Sequence, residues 1–225
     1  MITSDTVTLT MKRPIVITKH PTDMYVLKNK TAKVTVAATG KNLKYVWYVK
    51  APGAKKYTKS KVTTPTYSVK MTAKVDGTMV YCEITDKNKK TETTKPVTLG
   101  MVAAGLQFVT ENGQVTITDY TGSAKTLVVP PSINGNPVVA IGAEAFLNSK
   151  ITQLTLPEGL LTIGEYAFSG SALTSLRIPT SITTIPEGAC YGCKSLSNVI
   201  LPDSVKIIGK RAFARCSLLK KMATY

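Results

Sequence analysis

Cys190-x-x-Cys193 and the glutamates Glu144, Glu165 and Glu187 are the residues whose types and spacing come nearest to reactive or metal-holding chemistry in this 225-residue chain. Two cysteines three positions apart supply half of a tetrahedral zinc site, which needs a second close pair or histidines to complete it. The other cysteines, Cys82 and Cys216, stand alone, and the one histidine, His20, lies far upstream in the lead-in Thr18-Lys19-His20-Pro21. Redox use of the pair would need the strand-loop-helix surroundings of a thioredoxin-like unit, and these are absent. The three glutamates recur once per repeat and could form an acidic, metal-binding ladder. The simpler reading makes them helix-start residues, where a carboxylate is favoured. No G-x-G-x-x-G, Walker A, H-E-x-x-H or G-x-S-x-G pattern occurs. The expectation is a chain that is not an enzyme and uses neither metal nor cofactor.

Charge offers a second kind of chemistry. The formal net charge is +16, and it is uneven: residues 1–103 hold 19 lysines and arginines against 6 acids, residues 104–225 only 10 against 7. Two modules with different surfaces are expected. Lys55, Lys56, Lys59 and Lys61 surround one expected hairpin and Lys87, Lys89 and Lys90 occupy another, with Tyr48 and Tyr57 nearby. They are candidates for binding a polyanion, either a glycosaminoglycan, a teichoic acid or a nucleic acid, because clustered cations release its counterions. The competing reading is a solvated sheet surface with protective edge lysines. Nucleic acid is not the expected partner, since no recognised nucleic-acid module accompanies the charge.

The elements that carry these lysines alternate with period 2. Ala32/Val34/Val36/Ala38, Leu43/Tyr45/Trp47/Val49, Tyr67/Val69/Met71 and Val80/Cys82/Ile84 each fall in one phase. Turn residues separate them at Gly40-Lys41-Asn42, Ala51-Pro52-Gly53, Asp76-Gly77 and residues 86–90, which indicates a β-sandwich of short strands. The segments PIVITKHPTDMYVLKNKTAKVTVAATGKNLKYVWYVK and YSVKMTAKVDGTMVYCEITDKNKKTETTKPVTL resemble bacterial immunoglobulin-like domains, the tandem stalks of surface proteins. The resemblance implies a domain over residues 13–102. Val36 stands where the first core cysteine of the antibody-type pattern would be and Val80 where its tyrosine would be, so Cys82 is expected to be a free, buried small hydrophobe. SDTVTLTM at 4–11 resembles TKPVTLGM at 94–101, so residues 1–12 read as the last strand of a preceding copy in a longer array.

From Gly105 the signal changes. Two alternating runs meet at Asn112-Gly113, a hairpin signal because both residues tolerate positive φ. Then Ile141, Ile163, Ile185 and Ile208 recur at intervals of 22, 22 and 23, each followed by Gly or, once, Pro186. Ala145-Phe146, Ala167-Phe168, Ala189-Cys190 and Ala212-Phe213 follow at a fixed offset, then Ser149, Ser171, Cys193 and Cys216. Apolar-x-x-apolar-x-apolar runs close the units: Ile151/Leu154/Leu156, Leu173/Leu176/Ile178, Leu196/Val199/Leu201 and Leu219/Met222/Thr224. A period of 20 to 29 residues with this ending is the mark of a leucine-rich-repeat solenoid, each coil giving a strand and a short helical turn. The pattern IGxxAF…C…L…IP resembles the BspA-type leucine-rich repeats of bacterial cell-surface proteins and implies such a domain over residues 103–225, entered by a hairpin region at about 106–135. In that family the cysteine column is structural, so Cys190, Cys193 and Cys216 are expected to be reduced packing residues.

The fold expected is mainly β: an immunoglobulin-like sandwich, then a short leucine-rich-repeat solenoid. The function expected is a bacterial cell-surface interaction or adhesion protein, monomeric, binding a protein or glycan on the solenoid sheet face. Its outward columns are Gln153, Ser175 and Asn198 with Lys221, and beside them Thr155, Arg177 and Ile200. A purely structural spacer is the alternative. No run of about 18 apolar residues is present for insertion into a membrane. Met1 does not open a secretory signal, so an extracellular location implies that signal and anchor lie outside this chain.

Overall fold

The computed structural model describes residues 14–224, and the strand expected over residues 1–12 lies outside them. Ten strands precede Val102: β1 (Val16–Lys19), β2 (Met24–Val26), β3 (Thr31–Thr35), β4 (Ala37–Thr39), β5 (Lys44–Lys50), β6 (Thr58–Lys59), β7 (Thr66–Lys70), β8 (Thr78–Thr85), β9 (Thr91–Thr93) and β10 (Val97–Met101). The period-2 pattern sets which side of each is buried. In β8, Thr78, Val80, Cys82 and Ile84 are buried and the residues between them are half-buried. One sheet runs β2-β10-β8-β5-β6 with β9 on β8, while β3 pairs β7 and β1 pairs β4. The inward residues of these ladders share one core around Trp47, Cys82, Ala32 and Val34. The Trp47 ring lies 5.8 Å from Tyr67, and its Nε1 donates to the Thr64 carbonyl at 2.9 Å, so the buried indole has its hydrogen bond.

Twelve strands follow: β11 (Leu106–Glu111), β12 (Gln114–Tyr120), β13 (Thr126–Val128), β14 (Ser132–Ile133), β15 (Asn136–Ile141), β16 (Gln153–Thr155), β17 (Thr162–Ile163), β18 (Ser175–Arg177), β19 (Thr184–Ile185), β20 (Asn198–Leu201), β21 (Ile207–Ile208) and β22 (Lys221–Thr224). The β11–β12 hairpin turns at Asn112-Gly113, with φ of 50° and 73°. Strand β12 then pairs in parallel with β15, setting Ile117 beside Ile141 and covering the amino-terminal end of the second core. The five strands β13-β16-β18-β20-β22 form a parallel sheet, one per coil, and this half of the chain is a β-solenoid. A second, shorter line stacks Ile141 on Ile163 and Ile185 on Ile208.

The short helical turns expected in each coil are not there: no described residue is helical. Each coil instead places two residues in the left-handed region, four apart: Glu144 and Asn148, Tyr166 and Gly170, Gly188 and Gly192, Arg211 and Arg215, all with φ between 54° and 69°. A right-handed helix cannot continue through such residues, so the backbone donors go to the next coil. Glu144, Phe146 and Asn148 donate to the carbonyls of Glu165, Ala167 and Ser169 at 2.7–3.0 Å. The same three-bond pattern joins Tyr166, Phe168 and Gly170 to Glu187, Ala189 and Tyr191, and Gly188, Cys190 and Gly192 to Lys210, Ala212 and Ala214.

The Ile-Gly pair of the repeat has a packing cause. Gly164 donates to the Ile141 carbonyl at 2.8 Å and Gly209 to that of Ile185 at 2.7 Å. A Cβ on Gly164 would lie 2.3 Å from the Ala143 nitrogen, and one on Gly209 would lie 2.6 Å from the Glu187 nitrogen. Backbone meets backbone there, so no side-chain movement relieves the clash. In the last coil Ile208 and Met222 are exposed, whereas Ile185 and Val199, their counterparts one coil earlier, are buried, because no described coil covers them. The two halves touch where Asn134 N–H and the Ser132 hydroxyl donate to the Tyr25 and Asp23 carbonyls, each at 2.8 Å. Among the described residues no helix is long and apolar enough to cross a membrane. Replacing Gly164 by alanine is expected to cost about 2 kcal/mol or more, read from urea unfolding; an unchanged midpoint would contradict the close-approach account.

Candidate functional site

The outward positions of the parallel sheet form hydrogen-bonded columns. Gln153 stands beside Ser175, Ser175 beside Asn198 and Asn198 beside Lys221, while Arg177 stands beside Ile200. Gln153, Thr155, Ser175 and Arg177 are exposed, and Asn198 and Ile200 are half-buried. Inward neighbours Leu154, Leu176 and Val199 fill the core. The backbone of these strands is paired on both sides, so recognition falls to side chains.

Only one column cation has a described side chain, and it is paired. Arg177 forms an ion pair with Glu158, and Glu158 also accepts from the Thr180 amide at 3.2 Å and its hydroxyl at 3.1 Å. The Arg177 hydrogen bond, aided by the Thr180 amide, holds the Glu158 carboxyl below its ordinary range. The face is therefore mostly hydroxyl, amide and aliphatic surface.

Strand β13 lengthens both columns by a coil that the repeat count left out. Thr126 stands beside Gln153 and Val128 beside Thr155, and at the other end Ala223 stands beside Ile200. The signal was available in Leu127-x-Val129-Pro130, which repeats Leu154-x-Leu156-Pro157 without a preceding Ile-Gly.

The seven candidate lysines of the amino-terminal half are all exposed, but they do not form one patch. Lys55 and Lys56 lie in the β5–β6 connection beyond Lys50, Lys59 stands on β6 opposite Tyr48 and Lys61 follows it back along β5, while Lys87, Lys89 and Lys90 lie on the β8–β9 turn, next to Thr85. Lys50 opposes Met79 and Lys44 opposes Thr85, so Lys55 and Lys56 lie past the end of β5 opposite to the β8–β9 turn, with the strand, about 20 Å long at roughly 3.4 Å per residue, between them.

The cysteines are all free thiols. Cys193 Sγ donates to the Phe168 carbonyl and Cys216 Sγ to the Cys190 carbonyl, each at 3.0 Å, and the Ser171 hydroxyl lies 3.4 Å from Cys193 Sγ. The column Ser149, Ser171, Cys193 and Cys216 is thus one of small side chains with a hydrogen to donate across coils, a role the spacing alone did not reveal. Its first member, Ser149, has a buried hydroxyl with no partner among the described residues. A hydrogen bond with Cys193, added to burial, raises the Cys190 thiol well above its ordinary value, and burial pushes Cys82 and Cys216 up to about 11. No group of three metal-ligating side chains occurs among the described residues. Glu165 and Glu187 do not line up with Glu144, whose left-handed position corresponds to Tyr166 and Gly188; Glu187 accepts from the Tyr166 hydroxyl at 3.3 Å. His20 is exposed.

Residues 124–224 match the family described as BspA type leucine rich repeat region, in six copies. No curated protein matches the chain. Among solved structures, the chain is similar to the T. pallidum leucine rich repeat protein TpLRR, at 28% identity over 54% of this chain and 69% of that one, with a TM-score of 0.45. A leucine-rich repeat protein from Bacteroides capillosus ATCC 29799 is 27% identical over 55% of this chain and 97% of that one, with a TM-score of 0.49. The BspA-type leucine-rich repeat region is thus shown for residues 124–224, and bacterial leucine-rich repeat proteins stand among the structural matches. Denatured without reductant, the protein is expected to titrate as four thiols with Ellman's reagent, and native protein at pH 8 to react slowly; fewer than four would reveal a disulfide.

Proposed function

We propose that this chain is a non-enzymatic interaction protein of a bacterial cell surface. On this reading residues 13–102 are an immunoglobulin-like stalk domain presenting the solenoid, whose sheet face binds a protein partner. The observation that carries the reading is the register that stacks Gln153, Ser175 and Asn198 on adjacent parallel strands, outside a core that needs none of them.

The size of the face narrows the partner. Five strands about 4.8 Å apart span about 19 Å, and the outward columns are about 10 Å wide, an area on the order of 200 Å². A standard interface buries about 800 Å² per partner. The face therefore suits a loop or an extended segment, with further contacts supplied at its margins. Its paired arginine, amides and hydroxyls offer hydrogen bonds, and Val128 and Ile200 offer apolar contact.

Replacing Gln153, Arg177 and Asn198 together by alanine is expected to abolish capture from a host-surface protein extract while moving the thermal midpoint by no more than about 4 °C, since exposed side chains contribute little to stability. Capture equal to that of the native chain would place the binding surface elsewhere.

A further inference from the structure

We propose that the free edge of β13, with the cleft beside it, takes an extended segment of a partner protein as an added strand, one of whose basic side chains reaches Asp76. This goes beyond the reading of the sheet face, since the edge can be filled whether or not the outward columns bind.

Strand β13 ends the five-stranded parallel sheet and has β16 on one side only. Backbone groups along a strand point alternately to its two neighbours. The Lys125 carbonyl accepts from Gln153 N–H at 3.0 Å and Val129 N–H donates to the Thr155 carbonyl at 2.9 Å. The odd-numbered backbone groups thus face β16, and the amides and carbonyls of Thr126 and Val128 face away from it. On that side Thr126, Leu127 and Val128 line an open cleft of about 620 Å³, shared with Asp76 and Met101 from the amino-terminal half.

Three properties of the cleft select the occupant. Its remaining lining is residues 103–105 and 121–124, none larger than threonine, which leaves room for a main chain. The edge is accessible: Val128 is 60% exposed, and the three residues of β13 itself carry neither a proline nor a charge, with Lys125 before them and Pro130 after. The lining of the cleft carries one charged side chain, and that is an acid, Asp76, in a chain of net charge +16. Asp76 Oδ1 accepts from Met101 N–H at 2.7 Å, fixing the carboxylate and leaving Oδ2 for a cation. The Tyr25 phenol, raised chiefly by burial, also feels the negative charges of Asp23 and Asp76. Main-chain bonds to Thr126 and Val128 would supply affinity, and the cation facing Asp76 would supply specificity, as in other strand additions.

The test uses the whole chain and a library of capped pentapeptides of alternating valine and threonine, with lysine, glutamate or serine at the centre. Lysine peptides are expected to bind and to slow hydrogen exchange at the Thr126 and Val128 amides. Val128→Pro removes a donor that does not face β16 and suits an edge strand; it should weaken binding at least tenfold. Asp76→Asn should weaken the lysine peptides severalfold and leave the serine peptides unchanged. Equal affinity of native and Val128→Pro protein would overturn the proposal, as would protection confined to other amides, or no saturation by any lysine peptide at millimolar concentration. Should Val128→Pro fail to fold, the exchange measurement on the unaltered chain decides by itself.

Discussion

Backbone hydrogen bonds between successive turns are the constraint on which the carboxy-terminal half depends. Within a turn, residues held at positive φ send three amides sideways instead of back along the chain, and those amides are satisfied only when the next coil lies against them. Buried amides left unpaired are costly, so a coil is stable as a member of a stack and not alone. The other repeated letters follow from that closeness. Glycine is required where backbones touch at Gly164 and Gly209. Alanine fits at Ala145, Ala167 and Ala189, and Phe146 stacks on Phe168 with centroids 5.8 Å apart. A small donor is needed at Cys193 and Cys216 to meet a carbonyl one coil back.

Much of this was open to reading in the residues. The spacing of Ile141, Ile163, Ile185 and Ile208 placed the coils, and the Leu-x-x-Leu-x-Leu runs placed Gln153, Ser175 and Asn198 on the outside of a sheet. Asn112-Gly113 marked the hairpin. The turns were misjudged because their left-handed positions hold Glu144, Tyr166, Arg211 and Arg215, types that show no preference for that region; tertiary bonds between coils override the local tendency. Glu144 looked equivalent to Glu165 for the same reason, although it sits one position later in its turn. The cleft beside β13 had no signature, since Asp76 and Val128 are 52 positions apart and meet only through the packing of the two halves.

Charge is distributed so that the two halves present different chemistry. The amino-terminal half carries most of the lysines, yet Lys55 and Lys56 lie past one end of β5 and Lys87, Lys89 and Lys90 past the other. The solenoid face is nearly neutral, with Arg177 held by Glu158. The binding proposed for that face would rest on shape and hydrogen bonding, whose strength depends little on salt, unlike that of exposed charges.

The one-way character of the ladder has an electrical consequence. In the three-bond ladder of each interface the donors belong to the earlier coil and the acceptors to the later one, while the flanking bonds from Gly164, Ala172 and Gly209 run the other way. Each peptide group carries a dipole of about 3.5 D, and here the dipoles point along the stack and add, where those of neighbouring strands largely cancel. The positive end of this field lies at the turn that holds Arg211 and Arg215, whose charges reinforce it. Every coil in such an array lengthens the aligned column and moves its two ends apart, while the partial charge at each end stays the same, so repeat number sets the area of the sheet and the end turn keeps its own local field.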